Sequence, residues 1–111
     1  MNATVYAWCE DTRRFLVDGL PLDATRREHQ MLGDLIAAAG EYISPDRHPS
    51  FTGSAYNRKL LAKVLICNLR AAFQGAGIHC PIETGYRKGY RWSPFVPLPA
   101  RRVVSVTYEA A

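Results

Sequence analysis

The residues of this chain best suited to chemistry are cations. Arg58, Lys59, Lys63, Arg70, Arg87, Lys88 and Arg91 fall within residues 57–91, where Glu83 is the single carboxylate and the net charge is +6. Ammonium and guanidinium groups at this density suit phosphates, because neutralising a phosphodiester backbone releases its condensed counterions. Residues 1–56 carry the opposite balance, with Arg13, Arg14, Arg26, Arg27 and Arg47 against eight carboxylates, net −3. The remainder adds +1, giving +4 overall. Charge gathered in one half is the electrostatic footprint of a nucleic-acid binder. Charge alone suits a solvated basic face that binds nothing equally well. Arg13, Arg14, Arg26 and Arg27 read as solvated surface.

Other chemistries find little support. Cys9, Cys67 and Cys80 are odd in number and form no C-x-x-C pair, so reduced thiols are expected rather than a disulfide framework or zinc site. His29, His48 and His79 lack metal-ligand spacing, and His79-Cys80 reads as a loop entering a strand. No glycine-rich phosphate loop has the strand–helix context it needs, and Gly85–Gly89 does not supply one. No Ser/His/Asp order or paired carboxylates suggest acid–base work, so no enzyme, cofactor or metal is expected. No apolar run approaches the ~20 residues that span a bilayer. The N-terminus lacks a basic n-region and an apolar h-region. A soluble, cytoplasmic, nucleoid-associated protein without a membrane partner is the expectation.

The elements that must position those cations follow from pattern. With 111 residues, 48% of them hydrophobic, the chain can bury one modest core. Thr4–Cys9 reads as a strand. Arg13–Val17 and Leu20–Leu22 flank Asp18-Gly19, a strong hairpin signal. Asp23 or Thr25 caps a helix, Thr25-x-x-Glu28 being a capping box. Met31, Leu32, Leu35 and Ile36 are its apolar stripe, and Gly40 its C′ residue. Ser44-Pro45 opens a second helix that His48-Pro49-Ser50 and Thr52-Gly53-Ser54 cut to a short turn, followed by an irregular loop to about Tyr56. Residues 57–75 form the longest helix, with Ala62, Ile66, Leu69 and Phe73 on a buried stripe and Leu61, Val64, Leu65 and Asn68 on another face. Gly75 and Gly77 stop it. In residues 82–92 the alternation of Ile82, Thr84, Tyr86, Tyr90 and Trp92 marks a β-hairpin turning at Arg87-Lys88-Gly89. A basic helix followed by a basic hairpin is the arrangement of a winged helix. Pro94, Pro97 and Pro99 imply a rigid extended linker, and Arg102–Tyr108 a final strand pairing with the N-terminal sheet or the hairpin.

Three motifs in order carry a family resemblance. Val17-Asp18-Gly19-x-x-Leu22-x-x-Thr25-x-x-Glu28-x-x-x-Leu32, Val64-x-Ile66-x-x-Leu69-Arg70, and Glu83-Thr84 with Gly89-Tyr90-Arg91 resemble the OmpR/PhoB-type winged-helix DNA-binding domain. The likeness is strongest to its alphaproteobacterial cell-cycle (CtrA-type) branch, through Arg27-Glu28-x-Gln30-Met31-Leu32, Ile66-Cys67-x-Leu69-Arg70 and Ile82-Glu83-Thr84. It covers residues 13–92. It implies an α+β winged helix-turn-helix with an N-terminal antiparallel sheet, three helices and a C-terminal β-hairpin wing. The chain is then a single domain over 1–111, with 93–111 as Pro-rich linker and terminal strand.

The resemblance also implies double-stranded DNA as partner, with the third helix in the major groove and the wing at the adjacent minor groove or backbone. Leu61, Val64, Leu65 and Asn68 would face the groove, Asn pairing with adenine and the aliphatics touching thymine methyls. Arg58, Lys59, Lys63 and Arg70 would contact phosphates, although Arg70 could equally brace the fold. Thr84 would bond a phosphate, and Arg87, Lys88 and Arg91 would serve the wing. Tyr86, Tyr90 and Trp92 are expected to pack a small sheet more than to stack on bases. The sequence departs from the family at Lys63, usually acidic, at Asn68, usually a cation, and at Arg87, where a wing glycine is usual. With Gly85 two places earlier, a different turn register is expected. Family members usually carry a receiver domain, for which 111 residues leave no room, so receiver phosphorylation is not expected to control this chain.

Two functions follow. The first is a standalone DNA-binding transcription regulator, with the C-terminal strand as a homodimer edge. The second is a winged-helix module that binds RNA polymerase or a host regulator, favoured by the truncated second helix and exposed aliphatics. A bacterial or bacteriophage origin fits either.

Overall fold

Asp18 and Gly19 both take left-handed φ, 51° and 85°. Two such residues in succession make a turn whose twist matches that of paired strands. They join β2 (Arg14–Val17) to β3 (Leu20–Pro21). The computed structural model describes residues 4–102 and adds β1 (Tyr6–Cys9), α1 (Arg26–Ala37), α2 (Ala55–Gly75), β4 (Ile82–Gly85), β5 (Gly89–Trp92) and β6 (Ala100–Arg102). One sheet has the order β3-β2-β1-β6, with β6 parallel to β1, and β4 and β5 form a separate antiparallel pair.

Thr25 caps α1 as expected. Its hydroxyl accepts from the Glu28 amide at 3.2 Å, and Glu28 accepts from the Thr25 amide at 2.9 Å. The helix ends one step earlier than expected, with Ala38 as C-cap, so Ala39 and not Gly40 is the C′ residue, at φ 51°. Met31, Leu32, Leu35 and Ile36 pack on Ala62, Leu65, Ile66, Leu69 and Phe73 of α2, and the sheet closes the core with Trp8 and Phe15. Trp8 crosses α1 where residue 33 is glycine; a Cβ there would lie 2.7 Å from the indole. Phe15 stands 5.6 Å from Phe73 and 6.1 Å from Trp92, tilted or edge-on, geometries that contribute about 0.5–1.5 kcal/mol per pair beyond burial.

His29 is fully buried as well. Its Nδ1 accepts from the Phe15 amide at 2.8 Å, and its Nε2 lies 2.9 Å from the Leu22 carbonyl. The pair of bonds fits a neutral ring protonated at Nε2. Burial pushes its pKa below the ordinary histidine value.

The described residues contain two α-helices, not three. In place of the second is one turn, closed by the Arg47 and His48 amides on the Ser44 carbonyl. Pro49 offers no amide to continue it and disfavours helical backbone at His48. The chain then runs irregularly to Ser54, tied to α1 by Ser50 Oγ donating to Asp34 at 2.8 Å and by the buried Phe51.

The proline-rich segment is not fully extended either. It turns at Pro94-Phe95, where Trp92 Nε1 donates to the Val96 carbonyl at 2.9 Å, and then delivers β6 to the edge of β1. The expected terminal strand begins slightly early, at Ala100, and pairs with the N-terminal sheet; its continuation through Tyr108 lies outside the described residues.

Candidate nucleic-acid interface

Residues 55–75 contain no carboxylate, and their cations must lie on whatever face the core leaves outside. Helix α2 starts two residues earlier than its pattern suggests, because the Ser54 hydroxyl accepts from the Asn57 amide and so supplies the cap. At the far end Gly77, at φ 71°, lets the Ile78 amide reach the Phe73 carbonyl and its own amide reach Gln74. That pair of bonds satisfies carbonyls the helix leaves open. The buried face is Ala62, Leu65, Ile66, Leu69 and Phe73.

Leu65 is therefore corrected: it is 8% exposed and part of the core, while Leu61 is half-buried against it. The outward face carries Tyr56, Leu60 and Val64 at intervals of four, with Lys63, Cys67 and Asn68 also exposed. Val64 and Asn68 are thus outward as expected. Leu60 and Tyr56 were missed, although their spacing from Val64 was a usable signal.

Three of the expected contact cations are engaged within the protein. Arg58 donates from Nε to the Gly53 carbonyl at 2.8 Å and from Nη1 to the Asp46 carbonyl at 2.6 Å, fastening the loop before α2. Arg70 Nη2 donates to Thr84 Oγ1 at 2.8 Å, so it braces the wing against the helix. Arg91 grips Glu83 through Nε at 3.1 Å and Nη2 at 2.9 Å, and Ser93 donates to the other Glu83 oxygen at 2.8 Å. The Ser93 bond, with Arg91 next, holds the Glu83 carboxyl below the ordinary carboxylate range. Lys59 is exposed but lies 3.6 Å from Asp46. Lys63 and Arg87 are exposed and form no ion pair among the described residues.

The wing turns at Tyr86-Arg87-Lys88, with Gly85 paired to Gly89 at the end of the ladder. Arg87 takes φ 58°, the conformation glycine provides most easily, so the arginine itself occupies the left-handed position and Gly85 stays in register. Trp92 is buried and Tyr90 half-buried against the core, whereas Tyr86 at the tip is 81% exposed, under the Arg87 guanidinium. The wing is seated on residues 42–43. Ile43 and Tyr90 exchange two backbone hydrogen bonds, of 2.7 and 3.1 Å. A Cβ on Gly89 would come within 2.0 Å of the Ile43 carbonyl, and one on Gly85 within 2.4 Å of the Tyr42 ring. Lys88 and Arg91 lie over that ring, at 5.5 and 4.7 Å from its centroid. Tyr42 had no local signal in the sequence, since its partners lie more than forty residues away.

Between α2, the 45–47 turn and the wing runs an open cleft of about 510 Å³. Lys59, Lys63 and Arg87 line it, with the hydroxyls of Ser44 and Thr84 and the carboxylate of Asp46. Cations from helix and wing thus converge on one channel. No described group of His, Cys, Asp and Glu could hold a metal, and no described helix is long and apolar enough to cross a membrane.

No protein-family model matches the sequence, and no curated protein matches it significantly. Among solved structures, the chain is similar to the C-terminal DNA-binding domain of the RstA protein from Klebsiella pneumoniae, with a TM-score of 0.63 and 22% identity over 82% of this chain and 86% of that one. At that identity the likeness is one of fold, and the fold is α+β, similar to a winged-helix DNA-binding domain.

Proposed function

We propose that the chain is a DNA-binding transcription regulator that sets α2 in the major groove and the β4–β5 wing at the neighbouring minor groove. The observation that carries this is the cleft between them, lined by Lys59, Lys63, Thr84 and Arg87. A duplex read by a helix in one groove and a wing in the next must pass one phosphodiester strand between the two. Lys63, Arg87 and Lys88 are the phosphate contacts, and Lys59 a fourth when it leaves Asp46. Leu60, Val64 and Asn68 meet base edges, the aliphatics suiting thymine methyls and Asn68 adenine. Arg58, Arg70 and Arg91 act from behind, by shaping the loop and wing. The fold of a DNA-binding domain in another protein supports this reading, as does the sequence resemblance to OmpR/PhoB-type and CtrA-type regulators. A cytoplasmic location completes the proposal.

Binding to random-sequence duplex DNA, followed by fluorescence anisotropy from about 50 to 200 mM salt, tests it. The expected outcome is affinity that falls steeply with salt and is lost in Lys63→Glu/Arg87→Glu. No binding by the native chain at the lowest salt overturns the proposal.

One observation favours a second reading. Tyr56, Leu60 and Val64 form an exposed apolar stripe, which suits a protein partner such as RNA polymerase or a host regulator. Under that reading Leu60→Asp abolishes partner capture and the lysine changes matter little.

A further inference from the structure

Among the described residues, Asp46 is the one carboxylate that lines the cationic cleft. Its surroundings hold it there. Pro45 before it is buried, and its own carbonyl accepts the Arg58 guanidinium at 2.6 Å, so the turn that carries the side chain is pinned to α2. One carboxylate oxygen, Oδ2, lies 3.6 Å from Lys59 Nζ. The other, Oδ1, is shielded from solvent and has no hydrogen-bond partner among the described residues. A buried carboxylate oxygen without a partner is costly, and the fold tolerates it beside three cations that have a different use.

We infer that Asp46 is a built-in brake on DNA binding: it occupies Lys59 and sets a negative charge in the channel that the phosphodiester strand must enter. This rests on the DNA-binding reading above. The physical chemistry is direct. A lysine already paired to a carboxylate adds little to counterion release, so the cleft binds phosphate with one cation fewer than its composition suggests. The carboxylate also repels the incoming phosphate at short range. Both effects lower affinity for every sequence alike, so Asp46 holds down the backbone component of binding and leaves the base-facing residues Leu60, Val64 and Asn68 untouched.

Asp46→Asn tests this, because it is isosteric and keeps the backbone carbonyl that Arg58 uses. Anisotropy titrations of a labelled random-sequence duplex across about 50 to 200 mM salt would compare four proteins: native, Asp46→Asn, Lys59→Gln and the double variant. Thermal melts would establish that all four are folded. Asp46→Asn is expected to bind roughly three- to tenfold tighter near 100 mM salt, with a log–log slope steeper by about 0.9. Lys59→Gln alone should change the slope little, because that lysine is already occupied. The double variant should lose the slope gain, since the freed lysine is its source.

The inference is overturned if Asp46→Asn binds no more tightly than the native chain, or if the slope gain survives in the double variant. Weaker binding by Asp46→Asn would make the carboxylate a positive contact, such as an acceptor for a base amino group. If the native protein and Asp46→Asn both fail to bind at the lowest salt, the DNA-binding reading itself falls. That result is distinct from a native chain that binds and a variant that matches it.

Discussion

Ala39 holds a backbone conformation that L-residues avoid. Its φ of 51° places it in the left-handed region at the C′ position of α1, where glycine is the usual occupant. Replacing it by glycine relieves that strain but enlarges the unfolded ensemble, and the first effect is the larger. Ala39→Gly should raise stability by up to about 1 kcal/mol, seen as a higher urea midpoint with an unchanged m-value. His29 makes a prediction about acid. Its ring is held neutral by burial, so its pKa in the folded protein is below the unfolded value of about 6.5. The unfolded chain therefore binds more protons as pH falls. The stability His29 contributes is complete above about pH 6.5 and is lost as pH drops toward the folded value. Melting temperatures taken from pH 7.5 down to 5.5 should decline, and the decline should be shallower in His29→Gln.

At the scale of elements, α1 and β1 meet closely where Gly33 faces Trp8. Gly33→Ala would improve helix propensity by about 1 kcal/mol if the helix stood alone. Here the added Cβ would meet Trp8 Cζ2 and Cη2 at 2.7 Å, and overpacking of that kind costs about 1–3 kcal/mol. Gly33→Ala should therefore lower the melting temperature. Trp8→Phe, which lacks those two atoms, should lose less in the Gly33→Ala background than in the native one, a coupling that a double-mutant cycle measures. Elements with a local cause were legible in the sequence. The Asp18-Gly19 turn, the Thr25–Glu28 box and the alternation in residues 82–92 each depend on residues a few positions apart. The facing of α2 was harder. Its buried set, Ala62, Leu65, Ile66, Leu69 and Phe73, is a wide band, and a narrow stripe through 62, 66, 69 and 73 leaves Leu65 on the wrong side. The candidate site was legible as a basic helix and hairpin. The engagement of Arg58, Arg70 and Arg91 was not, because each partner is fixed by tertiary packing or by hairpin register and not by residue type.

Over the whole molecule, the same sorting of cations decides how binding responds to salt. Removing a phosphate-contacting lysine should flatten the log–log dependence by about 0.9, while removing an arginine bound to its own carboxylate should not. Lys63→Gln is expected to flatten the slope with little change in melting temperature. Arg91→Gln should leave the slope close to native and lower the melting temperature, since it removes the ion pair with Glu83 and one of the contacts that seat the wing on Tyr42. Equal slopes for the two variants would mean that the internal pairing of Arg91 does not persist on DNA.

The parallel pairing of β6 with β1 has a mechanical consequence. The strands that open and close the described chain lie side by side and point the same way, with Ala7, Trp8 and Cys9 matched to Ala100, Arg101 and Arg102. Tension drawn between the start of β1 and the end of β6 pulls these neighbours past each other along their length. The hydrogen bonds between them are then loaded together, in shear, instead of parting one at a time like a zipper. A force applied to the two ends meets its stiffest resistance at this seam, and the helix and wing beyond it stay in place until the seam gives way.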